Sequence, residues 1–386
     1  MEQYKQWATQ RQCEIIDAVI ANGTQAAAAD ALGVTKRSVE RALARVRAKA
    51  AKHGYSPEHN MTHTSPNTHI VKGASTLYGD DGEVKLQWVK TDLKKEMLID
   101  AYEEAAKEIC QDVPRFKPTK TKLKDTQEAL AAYVIGDAHI GMIVQDHHNS
   151  GQGSWNLDIA EKVTLEAISR LIDLSGNTDV AMLVDVGDFQ HADRSDNVSQ
   201  SGHFHKTDGD FKDVILTCVR IYRQAITMML EKHKEVVVVL VRGNHNKDSS
   251  LFIGSLLEAV YENEPRVTVL DNRHKTLQFT YHNCFFGFHH GDRMKIDQMY
   301  QYLTSVYAED WGKTTHRHCM LGHIHHHQSK EYGSCIFESF NSMATQDEWH
   351  AHSMYNSKRT MTSIIFDKEH GEVQRHKIGI AQLRAA

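Results

Sequence analysis

Polar side chains of a few types follow five short apolar segments of this 386-residue chain. Each set contains aspartate, asparagine or histidine and lies beside or near a glycine. Carboxylates, imidazoles and an amide oxygen together suit Mn²⁺, iron or Zn²⁺ better than Cu(I) or a thiolate cluster. A single set of this kind is common in surface loops, but five in order, each ending a predicted strand, indicate a metal site. They are DAH at 137–139, GD at 187–188, GNH at 243–245, HHG at 289–291 and GHIH at 322–325.

Taken in order, the five sets resemble the pattern D-x-H, GD, GNH, H before G and G-H-x-H of the calcineurin-like metallophosphoesterase superfamily. The resemblance covers about residues 130–330. It implies an α/β fold with four layers, in which two mixed sheets are flanked by helices, and a centre of two divalent metal ions. Mn²⁺ is the expected ion, with Fe²⁺ and Zn²⁺ as alternatives.

The resemblance also implies a role for each matching residue. The implied metal ligands are Asp137, His139 and His325 for the first ion, Asn244, His290 and His323 for the second, and Asp188 between the two. His289 is the alternative to His290. A hydroxide bridging the metals would attack phosphorus, and His245 would act as general acid on the leaving group. The neighbouring glycines are expected to let the metals or a phosphate approach closely.

One position departs from the superfamily pattern. An acidic residue often follows the GNH histidine, whereas this chain has Asn246. An amide can orient the imidazole of His245 by a hydrogen bond, but it cannot stabilise the imidazolium by charge. We therefore expect that Asp137 or an acidic residue of the 190–210 loop takes this role, or that the pKa of His245 is lower.

Alternating strands and helices from about residue 130 must position these sets. Helices are predicted at about 158–174, at about 211–232 and near 251–262. Such alternation is typical of layered α/β domains, whose sites form at the carboxyl ends of the strands. The later segments LQFTYHNCFFGFHHGD, HCMLGHIHHH and SCIFESF favour strands of a more mixed sheet.

The first 53 residues form a separate basic segment, with nine Lys/Arg and five Asp/Glu against a net charge of −5 for the whole chain. Thr24 and Thr35 are predicted to cap two helices joined through Gly33, which resembles a helix-turn-helix of DNA-binding proteins. The alternative is a solvated basic helix of a packing or dimerisation domain. The predicted DNA-binding residues on the last helix are Lys36, Arg37, Arg41, Arg45 and Arg47.

Three domains follow from these patterns. Residues 1–53 are predicted to be a helix-turn-helix-like DNA-binding module and residues 129–386 a metallophosphoesterase domain. Residues 54–128 would form a linker with a hairpin and a helix.

Three functions remain open at this stage. The first is a phosphodiesterase acting on DNA, a nuclease or DNA-end-processing enzyme in the style of SbcCD nuclease subunits. The second is a phosphomonoesterase acting on a phosphoprotein or a nucleotide, for which Asp193-Arg194 stands two positions later than the usual pattern. The third is a DNA-binding regulator without catalysis, which would not need a complete ligand set.

Two polar segments are candidates for substrate contacts. The loop after the GD set offers Arg194, His203 and His205, together with Lys206, as phosphate or base contacts. The segment after the GHIH set offers Trp349 and Tyr355 for stacking on bases, or for the core.

Composition limits the setting of the protein. The six cysteines form no CxxC pair, so neither a zinc ribbon nor a disulfide framework is indicated. No membrane-spanning run or signal peptide is present, so cytoplasm is expected. The layout is similar to that of bacteriophage proteins, and a phage-encoded protein would act in the cytoplasm of the bacterial host. A homodimer and an ATPase partner are compatible with the resemblance, although no segment demands either.

Overall fold

The computed structural model of the chain describes residues 1–65, 69–79, 83–93, 126–146, 153–193, 206–346 and 356–383. The chain divides into two compact units, Met1–Ala101 and Tyr102–Ala386. Several sequence predictions fall outside the described residues. They are the roles of Arg194, His203, His205, Trp349 and Tyr355, and the helix predicted to follow the hairpin.

The first unit begins with three helices, α1 (Gln10–Asn22), α2 (Gln25–Ala31) and α3 (Lys36–Lys52). The Thr24 side chain accepts a hydrogen bond from the N–H of Ala27, and the Thr35 side chain accepts one from Ser38, so both predicted caps are confirmed. Val39, Leu43 and Val46 of α3 are buried against α1 and α2. The amphipathic spacing of α3 therefore fixes its buried face and leaves its basic face in solvent.

A two-stranded antiparallel hairpin belongs to the same unit. It consists of β1 (His69–Tyr78) and β2 (Val84–Leu93), as the alternation in the sequence predicted. The carboxamide of Gln87 donates to the carbonyl of His59, which ties the hairpin to the segment after α3. The predicted domain limits at residues 53 and 128 stay predictions.

The second unit contains two sheets. Its strands in chain order are β3 (Gln127–Ile135), β4 (Thr178–Asp185), β5 (Glu235–Leu240), β6 (Val267–Val269), β7 (Leu277–Tyr281), β8 (Cys284–His289), β9 (His316–Leu321), β10 (Gln328–Tyr332), β11 (Cys335–Ser339), β12 (Thr360–Asp367) and β13 (Gly371–Gly379). Its described helices are α4 (Leu157–Ser175), α5 (Phe211–Leu230), α6 (Ser249–Tyr261), α7 (Ile296–Val306) and α8 (Ala308–Lys313).

Both sheets are mixed. The six-stranded sheet has the order β13-β12-β3-β4-β5-β6, in which β3 to β6 are parallel and β12 and β13 are antiparallel to their neighbours. The five-stranded sheet has the order β10-β11-β9-β8-β7, with the parallel strands β11, β9 and β8 at its centre.

Alternation of side chains along β3 explains the layering. Leu130 and Val134 face the core between the sheets, where Phe286 of β8 also lies. Ala131 and Tyr133 point to the opposite face and pack with the apolar sides of α4 and α5. The outer face of the five-stranded sheet packs against α7 and α8. Successive strand residues point to opposite faces, so one strand serves two cores. The predicted fold, two mixed sheets flanked by helices, is confirmed.

Among the residues that the structure describes, no helix combines the length and apolarity needed to span a membrane. The described cysteines are unpaired, and four of them, Cys218, Cys284, Cys319 and Cys335, are buried.

The buried His233 predicts how stability depends on pH. Its Nδ1 lies 2.8 Å from the Thr178 hydroxyl and its Nε2 lies 2.9 Å from the Tyr133 hydroxyl. Burial lowers the pKa of His233 to about 4, so the folded chain holds it neutral. Its contribution to the free energy of unfolding should be complete above pH 6.5, the ordinary histidine pKa, and should be lost as the pH falls through 4. The full loss corresponds to about 3 kcal/mol.

Urea unfolding of the metal-free protein at several pH values between neutral and acidic checks this prediction. A His233→Gln variant should show a flatter dependence of the unfolding free energy on pH. The exposed His370 provides the control, because His370→Gln should leave the slope unchanged. Equal slopes for wild type and His233→Gln would contradict the assignment.

Candidate metal centre

The five polar sets lie just beyond the carboxyl ends of β3, β4, β5, β8 and β9. The strands β3, β4 and β5 are parallel neighbours in one sheet, and β8 and β9 are parallel neighbours in the other. Parallel strands present their carboxyl ends at the same edge. The topology therefore brings segments that are nearly 190 residues apart in sequence to one place.

The first group joins Asp137, His139 and His325. The Nε2 of His325 lies 3.0 Å from a carboxylate oxygen of Asp137 and 3.1 Å from the Nε2 of His139. Ligand atoms bound at about 2.1 Å to one ion stand about 3 Å apart. Three donor atoms at this spacing are what a shared divalent ion requires.

The second group joins Asp188, His290 and His323. The Nε2 of His290 lies 3.0 Å from a carboxylate oxygen of Asp188 and 3.1 Å from the amide oxygen of Asn244. Its Nδ1 donates to the carbonyl of Val186 at 2.9 Å. A ligating histidine commonly donates its second N–H in this way, which fixes the tautomer and presents the other nitrogen to the metal.

The structure distinguishes between His289 and His290. The Nδ1 of His289 accepts the N–H of Gly291 at 2.9 Å, and His289 lies outside both groups. Burial lowers its pKa to about 4. For His290, burial opposes the charged form, but the Asp188 carboxylate raises its pKa to about 10. The preferred prediction, His290 rather than His289, agrees with this geometry.

Both carboxylates of the site are buried. Asp137 is fully inaccessible and Asp188 is 2% exposed. Burial alone would raise the pKa of Asp188, but the adjacent His290 holds it well below its usual range, so it remains ionised. Buried carboxylates surrounded by neutral nitrogen and oxygen donors, without a thiolate, fit divalent ions of the Mn²⁺, Fe²⁺ or Zn²⁺ type. Asp188 belongs to the second group, and its bridging role stays a prediction.

Backbone strain concentrates in these sets. Four of the predicted ligands have left-handed φ values: His139 at 44°, Asp188 at 53°, His323 at 73° and His325 at 55°. This conformation costs a non-glycine residue about 1–2 kcal/mol. Strained residues persist where the surrounding structure fixes them, and they cluster at functional sites.

The glycines of the sets make room for carboxylates. A Cβ added at Gly243 would stand 2.0 Å from a carboxylate oxygen of Asp188, and one at Gly322 would stand 2.6 Å from that of Asp137. The ligand side chains themselves fill the space beside these two glycines. Close approach of the metals or of a phosphate stays a prediction.

His245 lies beside the two groups, together with a histidine that the sequence did not single out. The ring of His191 is 5.5 Å from that of His245 and nearly parallel to it. His191 is 5% exposed, and its Nδ1 lies 3.3 Å from the Nδ1 of His139. The available signal was its place three residues after Asp188, in the strand end GDFQHAD. His139, His191 and His245 form a third group whose nitrogens could hold a metal ion.

The orientation of His245 comes from the backbone. Its Nδ1 donates to the carbonyl of His191 at 2.8 Å, and its own N–H donates to Asp188 at 2.7 Å. A backbone carbonyl thus orients the ring. The expectation that Asp137 or an acid of the 190–210 loop stabilises the imidazolium by charge stays a prediction.

Asn246 has a structural role. It is fully buried, and its amide oxygen accepts the N–H of Gly243 at 2.8 Å and that of Asp188 at 3.1 Å. Its amide nitrogen donates to the side-chain oxygen of Gln190 at 2.8 Å. The amide thus ties the GNH turn to the GD turn rather than orienting His245.

An Asn246→Asp substitution, which restores the acidic residue of the superfamily pattern, should destabilise the protein by about 2–3 kcal/mol. A carboxylate keeps the two acceptor contacts but loses the donor to Gln190, and it brings a charge into a buried position beside Asp188. The urea midpoint should fall, while Asn263→Asp at an exposed position should leave it nearly unchanged. An unchanged midpoint for Asn246→Asp would show that Asn246 does not tie the two turns.

A buried ion cluster anchors the loop that carries His323 and His325. Glu338 of β11 is 1% exposed and contacts the Nε2 of His327 at 2.7 Å, the Nε2 of His318 at 2.8 Å and the guanidinium of Arg375. Burial raises the pKa of Glu338, but the hydrogen bonds from His318 and Arg375 more than offset this and hold it well below its usual range. Because His327 follows His325 by two residues, the cluster fixes the end of the ligand loop.

Asp193, another predicted position of the second unit, lies outside the three ligand groups. The Asp193 carboxylate accepts the N–H groups of Asp248 and Ser249 at 3.1 and 2.8 Å, so it caps α6. The basic residues of α3 lie in the first unit and are all exposed; they are Lys36, Arg37, Arg41, Arg45 and Arg47. Their role in DNA binding stays a prediction.

Solved structures that resemble the chain at low similarity include a predicted phosphoesterase from Streptococcus pneumoniae, with 11% identity and a TM-score of 0.28, covering 66% of this chain and 99% of that one. An archaeal phosphodiesterase has 11% identity and a TM-score of 0.30, covering 64% and 99%. Zinc-bound Vps29 from Entamoeba histolytica has 13% identity and a TM-score of 0.25, covering 65% and 99%. No protein-family model and no curated protein matches the chain. Similarities this low establish no family, so the chemistry of the site rests on its own residues.

Proposed function

We propose that the protein is a phosphodiesterase that depends on two divalent metal ions and acts on DNA. The observation that carries the proposal is the meeting of two Asp/His groups at one sheet edge, with His245 beside them. Mn²⁺ is the proposed ion. When bound, such ions act as Lewis acids on the phosphoryl oxygens and lower the pKa of a bound water.

The side chains of the site have separate roles in holding the ions. The predicted ligands are Asp137, His139, Asp188, Asn244, His290, His323 and His325. The buried Asp188 balances positive charge from within the site, and the amide of Asn244 adds a donor without adding negative charge. Glu338, through His327, keeps the ligand loop in place.

His245 is placed to move a proton. Because its Nδ1 donates to the carbonyl of His191, Nε2 is the nitrogen that would transfer a proton to a substrate. In the imidazolium form, Nε2–H can donate to the departing oxygen of the ester. His191 stacks against it and limits the rotation of the ring.

The first unit fits a polyanion. The helices α2 and α3 are joined through a turn in which Gly33 has a φ of 65°, the layout of a helix-turn-helix. Three of the exposed cations of α3, Arg37, Arg41 and Arg45, lie on the face opposite its buried Val39, Leu43 and Val46. Lys/Arg contacts to phosphates give affinity for DNA that does not depend on sequence.

Incubation of metal-stripped protein and added Mn²⁺ with end-labelled single- and double-stranded DNA tests the proposal. The wild type should cut DNA, and the Asp188→Asn, His245→Ala double variant should not. If DNA stays intact while an aryl phosphate monoester is hydrolysed, the enzyme is a phosphomonoesterase. If the double variant keeps both activities, the site that contains Asp188 and His245 is not the active site.

Charge removal on α3 separates binding from chemistry. Arg37→Gln, Arg41→Gln and Arg45→Gln together should weaken DNA binding by about tenfold or more at low salt and should reduce its salt dependence by about one slope unit per lost contact. Hydrolysis of a small aryl phosphodiester should be unchanged. Equal loss of both activities in a folded variant would contradict the two-module model.

A further inference from the structure

A rim of three loops lies beside the second ligand group. The loops follow β5, β6 and β8, and they span about 241–248, 270–276 and 290–295. Hydrogen bonds join them: the guanidinium of Arg242 donates to the carbonyl of Arg273 at 2.9 Å, and the ammonium of Lys275 donates to Asp292 at 2.7 and 2.8 Å. The rim is therefore one connected surface next to His290.

The cations of this rim differ in their pairing. Arg273 is bound to the carboxylate of Asp271, and Lys275 to that of Asp292, so these charges are neutralised within the rim. Arg293 and Lys295 are both exposed, and neither meets a carboxylate among the described residues. Asp297 stands in the first turn of α7, where a helix N-terminus favours a carboxylate. Arg242 is half-buried and donates to the carbonyls of Lys247 and Arg273, so the exposed rim cations without a carboxylate partner lie in the segment directly after His290.

The backbone holds Arg293 in an unusual conformation. Its φ is 56°, in the left-handed region, which long side chains rarely adopt. The turn is closed by the N–H of Met294, which donates to the carbonyl of Gly291 at 3.3 Å. Strain of this kind is retained where it directs a side chain for function.

Chain geometry limits the distance between Arg293 and the ligand His290. Arg293 follows His290 by three residues, so their Cα atoms lie within about 11 Å of each other. Phosphates of one DNA strand recur about every 3.4 Å along the helix axis. Because the phosphates also wind around the axis, their real separation exceeds this rise, and the phosphates adjacent to the reacting one are those that fall within this range.

We infer that Arg293 and Lys295 bind the phosphates that flank the scissile phosphate on the side of His290. The inference rests on the proposed function and adds a residue-level basis for preferring polymeric DNA over a small ester. A substrate with a single phosphate has no flanking phosphate that these two cations could bind.

The test compares wild type with an Arg293→Gln, Lys295→Gln double variant of the full chain in Mn²⁺. Glutamine keeps most of the side-chain length and removes the charge. DNA cleavage is measured between about 50 and 200 mM salt. The plot of log kcat/KM against log salt should become shallower by nearly two slope units in the double variant, and the change should be mainly in KM. The fall in kcat/KM between the two salt concentrations should therefore be about tenfold smaller than in the wild type. Hydrolysis of an aryl phosphodiester should stay within about twofold, since that substrate lacks flanking phosphates.

Lys313→Gln is the matched control, because Lys313 precedes β9 and so lies at the opposite sheet edge. It should change neither the slope nor the aryl activity. The inference is overturned if the double variant keeps the wild-type slope, or if it loses aryl activity in step with DNA cleavage. If wild type hydrolyses neither DNA nor the aryl diester, the proposed function fails and the inference falls with it, which is a different result from an unchanged slope in an active enzyme.

Discussion

An Asp188→Asn variant is expected to hydrolyse an aryl phosphodiester about a thousandfold more slowly than the wild type, a loss of ~4 kcal/mol of transition-state stabilisation. The Nε2 of His290 lies 3.0 Å from one carboxylate oxygen of the buried Asp188. The other oxygen accepts the backbone N–H of His245 at 2.7 Å. Asparagine has the same shape and can still accept from His245. What it removes is the negative charge and one anionic ligand.

The same variant should separate metal binding from folding. In the presence of a chelator, its Tm should stay close to that of the wild type, because the amide can donate to the Nε2 of His290. Added Mn²⁺ should raise the Tm of the wild type, since an ion that binds only the folded state stabilises it, and should raise that of Asp188→Asn much less. A full Mn²⁺-induced shift in the variant would show that Asp188 is not a ligand.

Replacing His245 with alanine is expected to slow cleavage of DNA by about 10²–10⁴-fold, the usual contribution of a general acid. The departing sugar oxygen of DNA needs a proton, whereas a nitrophenolate does not. An ester with a nitrophenol leaving group should therefore lose less than about tenfold. The expected signature is a loss that grows with the pKa of the leaving group.

This signature distinguishes proton transfer from a role in shaping the site. If His245→Ala slows both substrates equally, His245 acts on the metal ligands through its ring contact with His139, because alanine keeps the backbone N–H that meets Asp188. His370→Ala, at an exposed position in the turn before β13, is the matched control and should leave both rates unchanged. Mn²⁺-dependent Tm shifts should be equal in wild type and His245→Ala.

The sequence by itself determined features that depend on neighbours along the chain. Thr24 and Thr35 predicted the helices that they cap, and the short apolar segment before the DAH set predicted the strand β3. The order and types of the polar sets indicated which residues would meet at one sheet edge, because the chain direction of parallel strands fixes where their ends lie.

Tertiary structure alone decided what depends on segments distant in sequence. The carbonyl of Val186, which follows a strand of the other sheet, accepts the Nδ1 proton of His290. Asn246 bonds the GD turn 58 residues away, and Glu338 anchors His327 from a neighbouring strand. His191 enters the site by packing against His139. Each of these contacts joins segments that lie in or after different strands, and a pattern along one chain cannot contain the distance between two segments that the fold brings together.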